Sequence, residues 1–429
     1  MAEKLASIKG KTSFGRLAFG LVFGNICLLI ALMTPGIMLL PFKVMEIDPK
    51  GFTTSYGLIT GISALFALIA QPVGGAISDR TNISFGRRRT WILIGSLGGG
   101  LSLLWIASAS TVWQVLIATC LTQMFFNFAG VAFNALIPDQ VSVEKQGTIS
   151  GIYGLGMPIG MFVGMGILTT MNAAPSFSKW LVLLIIGIVG PFISALFFIR
   201  EGKVEIEKTK VEKPSIKERL NHFYPSPRKH PAFTWAIISK FLLMMGYFSV
   251  TYLSIMLVSR LGFSTEKAQS LIGPINMLGL VGSALASVLG GILSDKMKKQ
   301  KPFLIISAIM IIAGLLVLAF IPNLTAVFVG VVILNLALGS FTAVDTALVS
   351  RILPNKLDAS KDFGILNIAN TLPQTIIPAL APLLLHVGGW IFFYLFLVAC
   401  VILSIFAIRA LPEIGQSTKV TELENKVLA

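Results

Sequence analysis

The 429-residue chain is 55% hydrophobic and only 12% charged, with a mean hydropathy of +0.84. Soluble domains carry about 25% charged residues, and no soluble fold of this size hides so much apolar surface, so the bilayer is the expected solvent. A net charge of +15 could suit nucleic acid, but the cations are gathered in short loops between apolar runs, which argues against that partner.

Twelve apolar stretches follow one another: 17–40, 58–77, 91–109, 113–137, 149–170, 180–199, then 232–258, 270–293, 303–321, 324–348, 363–384 and 390–411. About 20 helical residues, each rising 1.5 Å, cross a hydrocarbon layer of roughly 30 Å, so each stretch can span it. The expected fold class is an all-α integral membrane protein with twelve transmembrane helices in two pseudo-symmetric six-helix bundles. Its parts are an N-terminal segment (1–16), a first bundle (17–199), a Lys/Glu-rich linker (200–231), a second bundle (232–411) and a polar tail (412–429). Cations cluster before span 1, after spans 2 and 8, and in the linker, all on one side; an excess of Lys and Arg marks the cytoplasmic side. Both termini are therefore expected in the cytoplasm, with the protein multi-pass in the cytoplasmic membrane. Cys27, Cys120 and Cys400 lie inside apolar spans and read as packing residues, so neither a disulfide framework nor a metal site is expected.

Taken in order, span 1 carries Asn25 and the breaker pair Pro35-Gly36. Span 2 runs into GGAISDRTNISFGRRR, residues 74–89, and Gly74-Gly75-Ala76-Ile77-Ser78-Asp79-Arg80 is matched 216 residues later by Gly290-Gly291-Ile292-Leu293-Ser294-Asp295-Lys296. A loop built twice is the mark of a duplicated membrane protein. A carboxylate among guanidiniums can pair bidentately and lock one packing of two helices, so Gly75, Asp79, Arg80, Gly86, Arg87, Arg88, Arg89, Gly291 and Asp295 are expected to form a cytoplasmic gate, joined by Asp139 at the end of span 4. The alternative is that the arginines only orient the chain.

Span 4 presents Gln123, Asn127, Gly130 and Asn134 on one helical face. A polar stripe facing lipid is costly, so it either lines a solute path or bonds to other helices. The glycines of span 5, with Pro158, read as close helix packing. In span 7, Lys240, Tyr247 and Thr251 share a face, with Lys240 about 13 Å from the cytoplasmic end. Span 10 offers Asn335 and Thr342 on one face and Asp345 on its shoulder, at similar depth. Asp345 and Lys240 are therefore proton-coupling candidates, against the reading of a static ion pair. Span 11 adds Asn367, Asn370 and Gln374 in a proline-broken helix.

Twelve spans, a middle linker and the duplicated loop together resemble the major facilitator superfamily. The long SDRT....GRRR form, with Asp79 and Gly86 seven apart, is similar to that of sucrose–proton symporters and their bacterial relatives near the glycoside–pentoside–hexuronide group. ALIPDQV (135–141), AVDTALVSRILP (343–354) and FGILNIANTLPQ (363–374) resemble bacterial members of that branch. The resemblance implies two halves rocking about a central site lined by spans 1, 4, 7 and 10, with the Asp79 loop stabilising the outward-open state. Symporters of that group place acids in the N-terminal half, whereas spans 1–6 here hold none, so coupling should fall to Asp345.

The leading expectation is proton-coupled import of a glycoside or oligosaccharide, because the amides offer donors and acceptors suited to hydroxyls. The alternative is proton-coupled efflux of amphipathic drugs, for which thirty Phe and fifteen Met would line an adaptable cavity. No phosphate-binding loop, metalloprotease motif or nucleophile elbow occurs, so enzyme activity is not expected. The expected partners are a small solute, a sugar by the leading reading, and the lipid bilayer; the proton is the expected coupling ion, no cofactor is expected, and the chain is expected to be a monomer.

Overall fold

A computed structural model of the chain describes residues 13–141, 149, 152–201, 231–297, 300–352 and 359–411, with all their side chains except those of 291, 295, 346–352, 359–368 and 371. The described elements are α1 (Phe14–Met38), α2 (Leu40–Ile47), α3 (Phe52–Arg80), α4 (Arg87–Ser108), α5 (Val112–Gln140), α6 (Gly156–Thr170) and α7 (Ser176–Ile193), the last continued by a π-helical turn, Ser194–Phe198. Then follow α8 (Pro231–Tyr247), a 3-10 turn (Phe248–Tyr252), α9 (Leu253–Ser259), α10 (Thr265–Met297), α11 (Lys301–Phe320), α12 (Leu324–Ile352) and α13 (Ala359–Arg409).

Eleven of the described helical stretches are long and apolar enough to cross a membrane. The sequence suggests twelve, and the difference lies in α13, whose 51 residues are broken at Gly388 and Gly389. Gly389 takes a left-handed φ of 64°, which glycine adopts without steric cost. The break falls in the gap between the two last apolar stretches, so each of the twelve finds its helix. Large apolar side chains such as Ile69, Trp113, Leu285, Val288 and Ile292 stay exposed. On a soluble protein such patches invite association; on this one they are the surface for acyl chains.

Contacts divide the chain into two units: Met1–Lys210 with Ser264–Gly273, and Val211–Phe263 with Pro274–Ala429. In the first, α4 lies along α5, α5 against α3, and α1 against α6 and α7. In the second, α8 lies along α13, and α11 against α12 and α13. Small residues set these approaches. A Cβ on Gly95 would stand 2.5 Å from the Phe125 carbonyl, and one on Gly74 would stand 2.5 Å from the Phe128 ring and 3.3 Å from its Cα. In the second unit a Cβ on Gly290 would come 3.2 Å from Ser340 Cα. Gly290 is the counterpart of Gly74 in the duplicated loop, and Ser340 lies 212 residues after Phe128 because the second loop is four residues shorter. Both copies of the motif thus seat their first glycine on the same point of the crossing helix.

Gly339 of α12 sits directly against the Ser283 carbonyl of α10. A backbone oxygen cannot rotate away, so Gly339→Ala is expected to push the two helices apart and cost about 1–3 kcal/mol, read as a lower melting point in detergent. An unchanged melt would mean that these helices yield freely.

Candidate functional site

The chemistry-bearing residues fall into one cluster per unit. In the first unit they gather where α3 ends, α4 begins, and α5 and α7 end. Arg88, only 5% exposed in its side chain, lies at the centre. Its Nη1 donates to Ser78 Oγ (2.6 Å), its Nη2 to Asp79 Oδ1 (2.5 Å) and its Nε to Asp139 Oδ2 (2.8 Å). Arg87 Nη2 donates to the same Asp139 oxygen (2.9 Å). A planar guanidinium presents five donors in a fixed fork, so one side chain ties the ends of three helices together. Asp79 is 60% exposed, which screens its charge, and half-buried Asp139 is the stronger partner. Arg80 is exposed, and half-buried Gly75 makes an ordinary contact with Val131.

Arg89 faces the other way. Its Nε donates to the Ala195 carbonyl (2.7 Å) in the π-helical turn, its Nη1 to the Phe85 carbonyl (3.2 Å), and its guanidinium lies 4.2 Å from the Phe85 ring centre. The non-helical stretch just past the π-helical turn answers through Glu201, which the sequence places only in the linker. Glu201 Oε2 accepts from the backbone N–H groups of Arg88 (2.8 Å) and Arg89 (3.1 Å). These are donors that a helix N-terminus leaves unsatisfied, where the macrodipole favours an anion. Gly86 makes room: its φ is +112°, and a Cβ there would stand 2.6 Å from Glu201 Oε2. Nothing local in the sequence sets Glu201 apart from Glu205 and Glu207 of the same linker.

Burial raises the Glu201 pKa above its ordinary value of 4.5, opposed by the Arg89 and Arg88 amide bonds. A carboxyl whose folded pKa is raised gives stability that is full below the unfolded pKa and is lost as pH rises through the folded one. Glu201→Gln keeps an acceptor and removes the titration. The gap in melting temperature between wild type and variant is therefore expected to move against the wild type as pH climbs from about 4 to about 7; a gap that does not change with pH would sink this assignment.

In the second unit the cluster is a single pair. Lys240 Nζ on α8 donates to Asp345 Oδ2 on α12 at 2.6 Å, with side chains 7% and 13% exposed. The two elements that the sequence singled out at similar depth are thus brought together. Two turns further along α8, Tyr247 OH donates to Asn335 Oδ1 (3.4 Å), and Asn335 Nδ2 donates to the Val331 carbonyl (2.9 Å). Thr251 and Thr342 hydroxyls donate to carbonyls on their own helices, Phe248 and Gly339. Asn370 Oδ1 is buried with no hydrogen-bond partner, and Gln374 is exposed. Gly291, Asp295 and Asn367 lie outside the residues whose side chains are described.

The span 4 stripe is divided. Asn127 Nδ2 donates to the Gln123 carbonyl (2.7 Å) and Oε1 (3.3 Å), while its Oδ1 accepts from Gln71 Nε2 of α3 (3.3 Å). Two of its amides therefore serve helix packing, and Asn134 is the exposed one. Asn25, buried, donates to the Tyr153 carbonyl at 3.5 Å. Among the described residues no group of His, Cys, Asp and Glu is arranged to hold a metal ion.

The model of the Major Facilitator Superfamily matches residues 17–299 and 268–426. The chain belongs to this superfamily. It is similar to the multidrug resistance protein MdtG of Proteus mirabilis, 28% identical over 267 residues that cover 59% of each protein, so the match spans under two thirds of that relative. To MdtG of Salmonella schwarzengrund it is 25% identical over 67% of this chain and 69% of that one. Among solved structures its fold resembles a bacterial homologue of the human lysosomal transporter Spinster (TM-score 0.65, 16% identity, 92% of this chain and 95% of that one). It also resembles the nucleoside transporter NupG (TM-score 0.69, 13% identity, 92% and 99%). None of these matches places the chain nearest the sucrose–proton branch, a placement that rests on the loop and segment resemblance alone.

Proposed function

We propose that the chain couples proton movement to export of an amphipathic solute, and that Lys240 and Asp345 form the coupling element. The observation that carries the reading is the 2.6 Å ion pair held inside membrane-spanning helices. Ionised groups are expensive there and persist where they pair or serve transport. A pair can do both. With Asp345 ionised the two charges cancel; a proton or a solute that takes one partner frees the other, so the pair has two states that a change of solvent access can exchange. Export, rather than the sugar import expected from the motif resemblance, is favoured by the two relatives, whose names denote multidrug resistance. The self-bonded Gln123–Asn127–Gln71 amides leave fewer free groups for sugar hydroxyls than their spacing suggested.

The test is pH recording in lightly buffered proteoliposomes given ethidium and then a panel of mono- and disaccharides. Protons exchanging against ethidium support export. Protons moving in the same direction as a sugar would overturn it in favour of import, and solute movement without protons would overturn coupling.

A further inference from the structure

Helix α10 is shared between the two units, and the border falls inside it. Its first turns, Ser264–Gly273, group with the first unit, and everything from Pro274 onward groups with the second. Proline inside a helix lacks the N–H that would bond the carbonyl four residues earlier, here that of Ser270, and helices bend at such positions. The residue before it is Gly273, buried directly against Thr169 Oγ1 of α6, with Met38 Cε of α1 3.2 Å from where its Cβ would stand. Ala268, Ile272 and Gly273, at helical spacing, form the buried face of this short segment.

One side chain of the first unit reaches out to it. Lys179, at the start of α7, is only 3% exposed. Its Nζ donates to the Asn172 carbonyl (3.0 Å) and to Gln269 Oε1 (3.4 Å). Among the described residues this buried ammonium forms no ion pair, and it is satisfied by neutral oxygens, one of them on α10. A carboxylate in place of Gln269 would bind it more tightly. A long bond from a cation to an amide holds the segment and still lets go. All of these contacts lie at the end of the first unit opposite the Arg88 cluster, since α6 ends and α7 begins there.

From these contacts we infer that Ser264–Gly273 is a releasable strap. Lys179 latches it through Gln269, Gly273 seats it on Thr169, and it detaches by bending at Gly273–Pro274 when the transporter exposes that end. The inference rests on the chain being a transporter that alternates access, and on neither its solute nor its coupling ion.

The reporter is Ile272→Cys, 1% exposed as isoleucine, in the full chain with Cys27, Cys120 and Cys400 replaced by serine. Its rate of reaction with a maleimide in proteoliposomes reads how often the strap is off, with no solute needed. Adding Lys179→Ala is expected to raise the rate about tenfold, the scale of one hydrogen bond to a charged group. Gln269→Glu, which turns the latch into an ion pair, should lower it, and Pro274→Ala should lower it too by stiffening the bend. Gel filtration separates release from unfolding. Equal rates in the Lys179→Ala and Gln269→Glu proteins, or shifts in the same direction, would overturn the strap and leave the reading of Lys240 and Asp345 untouched.

Discussion

Removing either member of the Lys240–Asp345 pair is expected to cost about 3–5 kcal/mol, whereas neutralising both together should cost far less. With side chains 7% and 13% exposed, a lone ammonium or carboxylate left behind has neither water nor a counter-ion. Asp345→Asn strands Lys240, and Lys240→Gln strands Asp345. The Lys240→Gln/Asp345→Asn protein restores a neutral hydrogen-bonding pair, so its melting temperature should return most of the way to wild type. Transport should not follow stability. Both the Asp345→Asn and the double variant are expected to lose solute movement against a gradient while retaining downhill exchange, because neither can take up and release a proton at that site. If the double variant still moves solute uphill, the pair is structural and coupling lies elsewhere. The two readouts separate a static ion pair, which affects stability alone, from a coupling element, which affects both.

What could be read from the sequence follows from the physics each residue answers to. The twelve spans were legible because hydrocarbon thickness sets their length, and even the join in α13 was visible, since Gly388-Gly389 separates two apolar runs. Lys240 and Asp345 were legible as individuals because charge inside an apolar run has few bland explanations, and their similar depth suggested the pairing. The amide stripe was read by the same rule, yet periodicity gives a face and not what the face meets. Asn127 turned out to bond Gln123 and Gln71. Glu201 was invisible as a partner because its role depends on α7 ending beside the start of α4, a tertiary fact with no local signature. The strap was hidden for a related reason: Gly273-Pro274 reads as an ordinary kink until the contacts assign its two sides to different units.

Arg88 carries the other large expected effect. Arg88→Lys keeps the charge and is nevertheless expected to destabilise the first unit by about 2–4 kcal/mol, because an ammonium cannot reproduce the fork that reaches Ser78, Asp79 and Asp139 at once. The loss should not be shared equally among those contacts. Asp79 is 60% exposed and can turn to water, so Asp79→Asn is expected to change stability by no more than about 1 kcal/mol. Asp139 is 23% exposed and holds Arg87 as well as Arg88 through one oxygen, so Asp139→Asn should approach the cost of Arg88→Lys, and combining those two substitutions should cost less than their sum. A thermal-melt series of these four proteins in detergent would check the order. If Asp79→Asn proved the most damaging single change, the helix ends would be held by the repeated loop acid rather than by the acid of span 4. The order expected from burial is the reverse: the duplicated Asp79 is the partner free to let go, and Asp139, which has no acidic counterpart at Arg351 in the second copy, is the anchor against which it does so.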